Sequence, residues 1–217
     1  MTEQDMPTKR ARAQGFSLLE TAIVLVVMAL VVMLGMRVQQ SGQQARLAMV
    51  QRARLNQAHQ AVMQFALTQH RLPCPDTTAS GAGIESQSAG ACVSSVGWLP
   101  YITLGIARPS GQGDDGRMRY GVFNGAMTLG VAPSASSLIS ALATASTLPP
   151  DTASAYVPVG TDCSSARFNP AFALALGERA TQAANSSRCF LSEVGQVGTR
   201  VDVESVADLQ MQLQPAM

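Results

Sequence analysis

The chain has 217 residues and a formal net charge of +1, enough for one domain with an accessory element but short for two independent globular cores. Residues 1–15 hold three basic and two acidic side chains, so the remainder carries no net charge, a balance that argues against nucleic acid as the main partner. Aromatics make up 5% of the chain and Lys9 is its only lysine, which predicts a modest core of Val, Leu, Ala and Met.

The first informative stretch is residues 16–36, FSLLETAIVLVVMALVVMLGM, in which Glu20 is the only ionisable side chain. At about 1.5 Å per residue such a helix covers roughly 30 Å, the hydrocarbon thickness of a bilayer, and this predicts a membrane-spanning helix. A cleaved secretory signal has a shorter apolar region, about 7 to 15 residues, that ends in small residues spaced A-x-A. Here the run is longer and leads into Arg37-Val38-Gln39-Gln40. A carboxylate inside an apolar helix costs on the order of 2.5 to 3.5 kcal/mol, while a place near the helix start returns roughly 0.3 to 1 kcal/mol through the helix dipole. A cut between Gly15 and Phe16 would create an α-amino group four residues before Glu20. The same amine on a neighbouring copy could neutralise the carboxylate in an apolar filament core.

Gly15 followed by Phe16-Ser17-Leu18-Leu19-Glu20 and a hydrophobic stretch, behind a short leader with Lys9, Arg10 and Arg12, resembles the class III signal of type IV prepilins and type II secretion pseudopilins. The resemblance covers the chain up to about Gln40. It implies that a membrane aspartic peptidase, the prepilin peptidase, cleaves after Gly15 and methylates Phe16, and that Glu20 directs docking between subunits. The function it implies is that of a structural subunit, a minor pilin or pseudopilin, in a type IV pilus-like or type II secretion filament. Its partners would be other pilin or pseudopilin subunits, an assembly platform protein and the inner membrane. The alternative is a filament-tip binding module, an adhesin or DNA receptor, on the same anchor. The expected fold is α+β: a long N-terminal helix, membrane-spanning in its first half and amphipathic in its second, packed on a small antiparallel sheet with two disulfides. The expected placement is single-pass in a bacterial inner membrane with a periplasmic head. Arg37 and Arg46 weaken the positive-inside bias, so orientation rests on the cleavage motif and the cysteines. The expected segments are a leader over 1–15, the spanning or filament-core helix over 16–36, its amphipathic continuation over 37–72 and the head over 73–217.

Residues 43–71 lack Gly and Pro and are rich in helix formers. Ala48, Leu55 and Val62, with Ala58 and Phe65 between them, form an apolar stripe, as in a helix lying along a sheet. Gly35 and Gly42 are candidate soft points. Arg37, Arg46, Arg52, Arg54 and Arg71 come without an acid between Glu20 and Asp76. A phosphate-binding stripe is one reading; a solvated or intersubunit face is favoured, because no aromatic stacking platform accompanies the arginines. Leu72-Pro73-Cys74-Pro75 should end the helix, and the Gly-, Ser- and Ala-rich stretch up to about residue 100 reads as a surface loop.

The cysteines stand at Cys74, Cys92, Cys163 and Cys189. An even count in a small exported domain predicts disulfides. Three pairings are possible, and the sequential one is expected because it closes two compact, unthreaded loops. Gly97-Trp98-Leu99-Pro100-Tyr101 and Arg119-Tyr120-Gly121-Val122-Phe123 resemble the head of a group of pilin-like proteins with an LPCP turn, a GWLP segment and a strand ending in RY. That resemblance implies that Trp98 and Tyr101 pack the helix against the sheet. Strands are predicted over 120–123, 155–159, 190–194 and 200–203, and helices over 134–145 and 170–184.

Catalytic signatures such as HExxH, GxSxG or a phosphate-binding glycine loop do not occur in the sequence, so no enzyme activity and no cofactor are expected. His59 and His70 lie three turns apart on the predicted helix, too far for one metal, and read as partly exposed residues. No metal site is expected, since Asp114-Asp115-Gly116 offers too few ligands for calcium. Asn185-Ser186-Ser187 matches a glycosylation sequon by chance.

Overall fold

The computed structural model describes residues 18–108, 117–123, 134–160, 162–176, 188–191 and 199–214, with the backbone alone at 34–45 and 47. The chain divides into two units, the boundary falling between Arg46 and Leu47, inside helix α1 (Leu18–Gln69). In the first unit residues 18–33 are exposed around the whole helix. Glu20 lies in its first turn, and the Thr21 hydroxyl donates back to the Leu18 carbonyl at 3.0 Å. Gly35 and Gly42 both lie within α1.

Among the described residues no helix is long and apolar enough to cross a membrane. The expected fold class therefore fails in its first element, the membrane-spanning half, and the single-pass inner-membrane placement that depended on it falls as well. The side chains described in this part of α1 are those of residues 18–33, sixteen against the about twenty apolar residues that a spanning helix needs.

The second unit is an α+β head. In chain order it adds β1 (Gln87–Ser88), β2 (Ala91–Cys92), β3 (Val96–Trp98), β4 (Arg119–Val122), α2 (Ala135–Thr147), β5 (Val157–Pro158), β6 (Ala166–Phe168), β7 (Phe172–Leu176), β8 (Arg200–Glu204) and α3 (Val206–Leu213). Strands β3, β4, β7 and β8 form one antiparallel sheet in that spatial order, while β1–β2 and β5–β6 are small ribbons.

Strand alternation gives this sheet two different faces. Tyr120, Val122, Phe172, Leu174 and Leu176 join Leu55, Ala58, Val62, Met63 and Ala66 of α1 and the buried leucines of α2 and α3 in the main core. Of the apolar stripe read from the sequence, Leu55, Ala58 and Val62 are buried and Ala48 and Phe65 half-buried, while Arg46 and Arg52 are exposed. Each leucine so buried contributes about 1.5–3 kcal/mol. The opposite face carries Val96, Ala173 and Ala175, covered by Ala155 and Phe190 and flanked by Val201 and Val203. Small residues are required there: a Cβ on Gly121 would stand 2.6 Å from the Phe190 ring and 2.8 Å from the Ala155 methyl.

Several boundaries follow from local chemistry. α1 ends at Gln69, a turn before the prolines, because His70 takes a left-handed conformation at φ 54° and its N–H closes on Ala66 O at 3.0 Å. α2 starts where the Ser134 hydroxyl accepts the Ser137 N–H, and α3 where Ser205 accepts that of Asp208.

The helix expected over 170–184 is wrong where it can be compared. Phe172-Ala173-Leu174-Ala175-Leu176 is β7, buried on both faces between β4 and β8. Alanine and leucine are strong helix formers, and tertiary pairing overrides them. The supposed loop before residue 100 contains β1, β2 and β3. Of the strand expected over 155–159, β5 covers Val157–Pro158. Beyond Leu191 the one expected over 190–194 lies outside the described residues, as do Asp114-Asp115-Gly116 and Asn185-Ser186-Ser187.

Candidate functional site

The sequence-predicted processing residues Gly15 and Phe16 lie outside the described residues. Glu20 is exposed in the first turn of α1, where the partial positive charge of the helix start favours a carboxylate. Around it stand Leu18, Leu19, Ile23 and Val24, each more than half exposed. The ion pairs among the described residues belong instead to His59 and Arg71. This segment therefore offers an apolar surface on all sides and one acid near its beginning.

Both disulfides pair neighbouring cysteines, Cys74 with Cys92 and Cys163 with Cys189. Beside the first, Arg71 grips Glu85 through two bonds of 2.6 and 2.7 Å, and the Cys74 N–H donates to the same carboxylate at 3.0 Å. Burial pushes the Glu85 carboxyl up, but the bonds from Arg71 and Cys74 outweigh it and hold the group below its ordinary value. Within the closed loop the fully buried Asp76 carboxylate accepts from the Thr78 N–H and hydroxyl and from the Gly83 N–H. Its backbone exchanges two bonds with Trp98, at 2.8 and 2.9 Å, which extends the sheet past β3.

Trp98 is buried but lies beneath the Arg117 guanidinium and beside Gly81, while Tyr101 belongs to the α1 core. The implied role of packing α1 against the sheet therefore fits Tyr101 and not Trp98. The second disulfide is tied to the sheet by Arg119. Its guanidinium sits 4.3 Å above the Phe190 ring and donates to the Cys189 carbonyl at 2.9 Å, and burial lowers its pKa to about 10.

A third cluster was not read from the sequence. His59 Nδ1 lies 2.9 Å from an Asp202 carboxylate oxygen and Nε2 lies 3.3 Å from one of Glu204. The other Glu204 oxygen accepts from Gln212 Nε2 at 2.9 Å, and the Phe172 ring meets the imidazole edge-on at 5.1 Å. The bond from Asp202 raises the His59 pKa against the opposing effect of burial. Burial raises that of Glu204, with His59 pulling it back. The signal lay in β8, Arg200-Val201-Asp202-Val203-Glu204: its valines face the small cluster, so its acids must face α1.

A cavity of about 450 Å³ opens between Phe123, Leu148, Phe168, Asn169, Ser205 and Val206. Asn169 is already engaged with Asp151 and Ala155. Among the described residues no group of three His, Cys, Asp or Glu side chains is placed to hold a metal ion. Compared with family models, curated proteins and solved structures, the chain gives no significant match.

Proposed function

We propose that this chain is a structural subunit of a helical filament of the type IV pilus or type II secretion kind, cut between Gly15 and Phe16 and assembled through the first part of α1. One observation carries this reading: residues 18–33 are apolar and exposed around the whole helix, with Glu20 the only ionisable side chain among them. A helix apolar on every side is stable only when something covers it, and equivalent helices of other copies provide such a cover. Glu20 would then meet the new amine of an adjoining Phe16. The two cystines fit assembly in an oxidising compartment.

Co-expression with a prepilin peptidase tests the reading. The expected product lacks residues 1–15 and forms crosslinked oligomers through α1, whereas a Gly15→Val chain stays uncut and monomeric. Cleavage without oligomers would count against the filament role. A second reading, a binding module at a filament tip, draws on Arg46 and Arg52, which are exposed on α1. It requires DNA retention by the chain to weaken steeply as salt is raised.

A further inference from the structure

We propose that His59, Asp202 and Glu204 form a proton-operated latch that locks the C-terminal strand β8 onto α1 when the imidazole is protonated and loosens it when the proton leaves. The latch joins parts of the head that are remote in sequence, since His59 and Asp202 are separated by 143 residues. β8 is also the outer strand of its sheet, paired on one side with β7 alone. Contacts made by its α1-facing side chains therefore matter more for holding it in place.

The proton count decides the state. An imidazolium has two N–H donors, one for each carboxylate, and both of its nitrogens lie within 3.3 Å of an acid oxygen. When one proton goes to solvent, a single N–H remains, and the bare nitrogen lone pair must face the other carboxylate. Among the described residues no other cation forms an ion pair with Asp202 or Glu204, although Arg200 shares their side of β8 by strand alternation. From β8 the facing charges are Asp202 and Glu204, and α3 adds the negative Asp208 near Glu204. β7 contributes the uncharged Phe172 ring, and α3 also contributes Gln212, a neutral donor already bound to Glu204. Deprotonation therefore leaves acids gathered around a neutral ring on the core side of β8.

The direction with pH follows from the raised His59 pKa. The latch is fully closed below the ordinary histidine value of about 6.5 and opens as pH rises through the higher folded value. Glu204, whose pKa is also raised, acts in the same sense, because its charge is less welcome in the fold once His59 is neutral.

The test melts the full-length chain, kept in solution with a mild detergent, from pH 5.5 to 8.5, and follows amide exchange in β8. The expected result is a melting temperature about 2–4 °C lower above the transition than below it. Exchange in β8 should quicken over the same range beyond its intrinsic pH dependence. His59→Gln keeps one donor but cannot titrate, and should flatten both curves. If His59→Gln does not fold, Asp202→Asn removes the largest upward influence on the imidazole and should move the transition to lower pH. A wild-type curve that is flat or rises over this range overturns the proposal, as does a His59→Gln curve that falls like the wild type or an Asp202→Asn transition left in place.

Discussion

Arg71 and Glu85 meet as a two-bond pair at the point where α1 gives way to the first disulfide loop, and the same carboxylate accepts the Cys74 N–H. One side chain thus sets the direction in which the chain leaves the helix and the start of the loop that follows. Both partners are partly buried, so removing one leaves the other poorly paired. Glu85→Gln should cost about 1–3 kcal/mol in urea unfolding. Because the folded Glu85 pKa is depressed, its stabilisation is complete above the ordinary value of 4.5 and is lost as pH falls through the lower folded value. An acid titration of stability should therefore be shallower in Glu85→Gln than in the wild type.

The Cys74–Cys92 bond closes a separation of 18 residues that carries little secondary structure beyond β1 and β2. Replacing both cysteines with serine should lower stability by about 2–4 kcal/mol. The comparison to make is melting of the double variant against the wild type, with and without reductant. The wild type should fall further than the variant when reduced, since the variant retains only the Cys163–Cys189 bond.

Gly121 faces Phe190 and Ala155 at distances that leave no room for a methyl group. Phe190 cannot readily swing away, because Arg119 lies over its ring. Gly121→Ala should therefore destabilise the head by about 1–3 kcal/mol. The companion variant Gly160→Ala, where a Cβ would meet nothing within 4 Å, should change the urea midpoint little.

Much of the head could be read from patterns that depend on nearby residues. The stripe through Leu55, Ala58 and Val62 follows helical periodicity, and the cysteine order is equally local. What stayed hidden depended on partners far away. β7 is written in helix-forming residues and becomes a strand only because β4 and β8 flank it. His59 read as a partly exposed residue of α1, and what the sequence did not reveal was its pairing with the acids of β8. The membrane-spanning reading extended hydropathy over residues 16–36, whereas among the described residues no helix is long and apolar enough to cross a membrane. The cleavage junction at Gly15 and Phe16 remains a matter of sequence pattern, with Glu20 placed on the exposed apolar helix start.

Glu20→Ala should leave cleavage after Gly15 intact but reduce copy-to-copy crosslinking through α1 at least tenfold, which corresponds to losing about 1.4 kcal/mol or more of pairing between carboxylate and amine. Glu20→Gln, similar in shape but uncharged, should be impaired as well. Crosslinking of both variants at the wild-type level would mean that apolar contact alone holds the copies together.

The most direct measurement is the mass of the N-terminal peptide from chains assembled in the presence of a prepilin peptidase. Filament assembly through α1 predicts a peptide that starts at Phe16 and carries a methyl group on its amine. An assembled chain that retains residues 1–15, or begins at any other position, would leave Glu20 without the amine it is proposed to meet and would contradict the assignment.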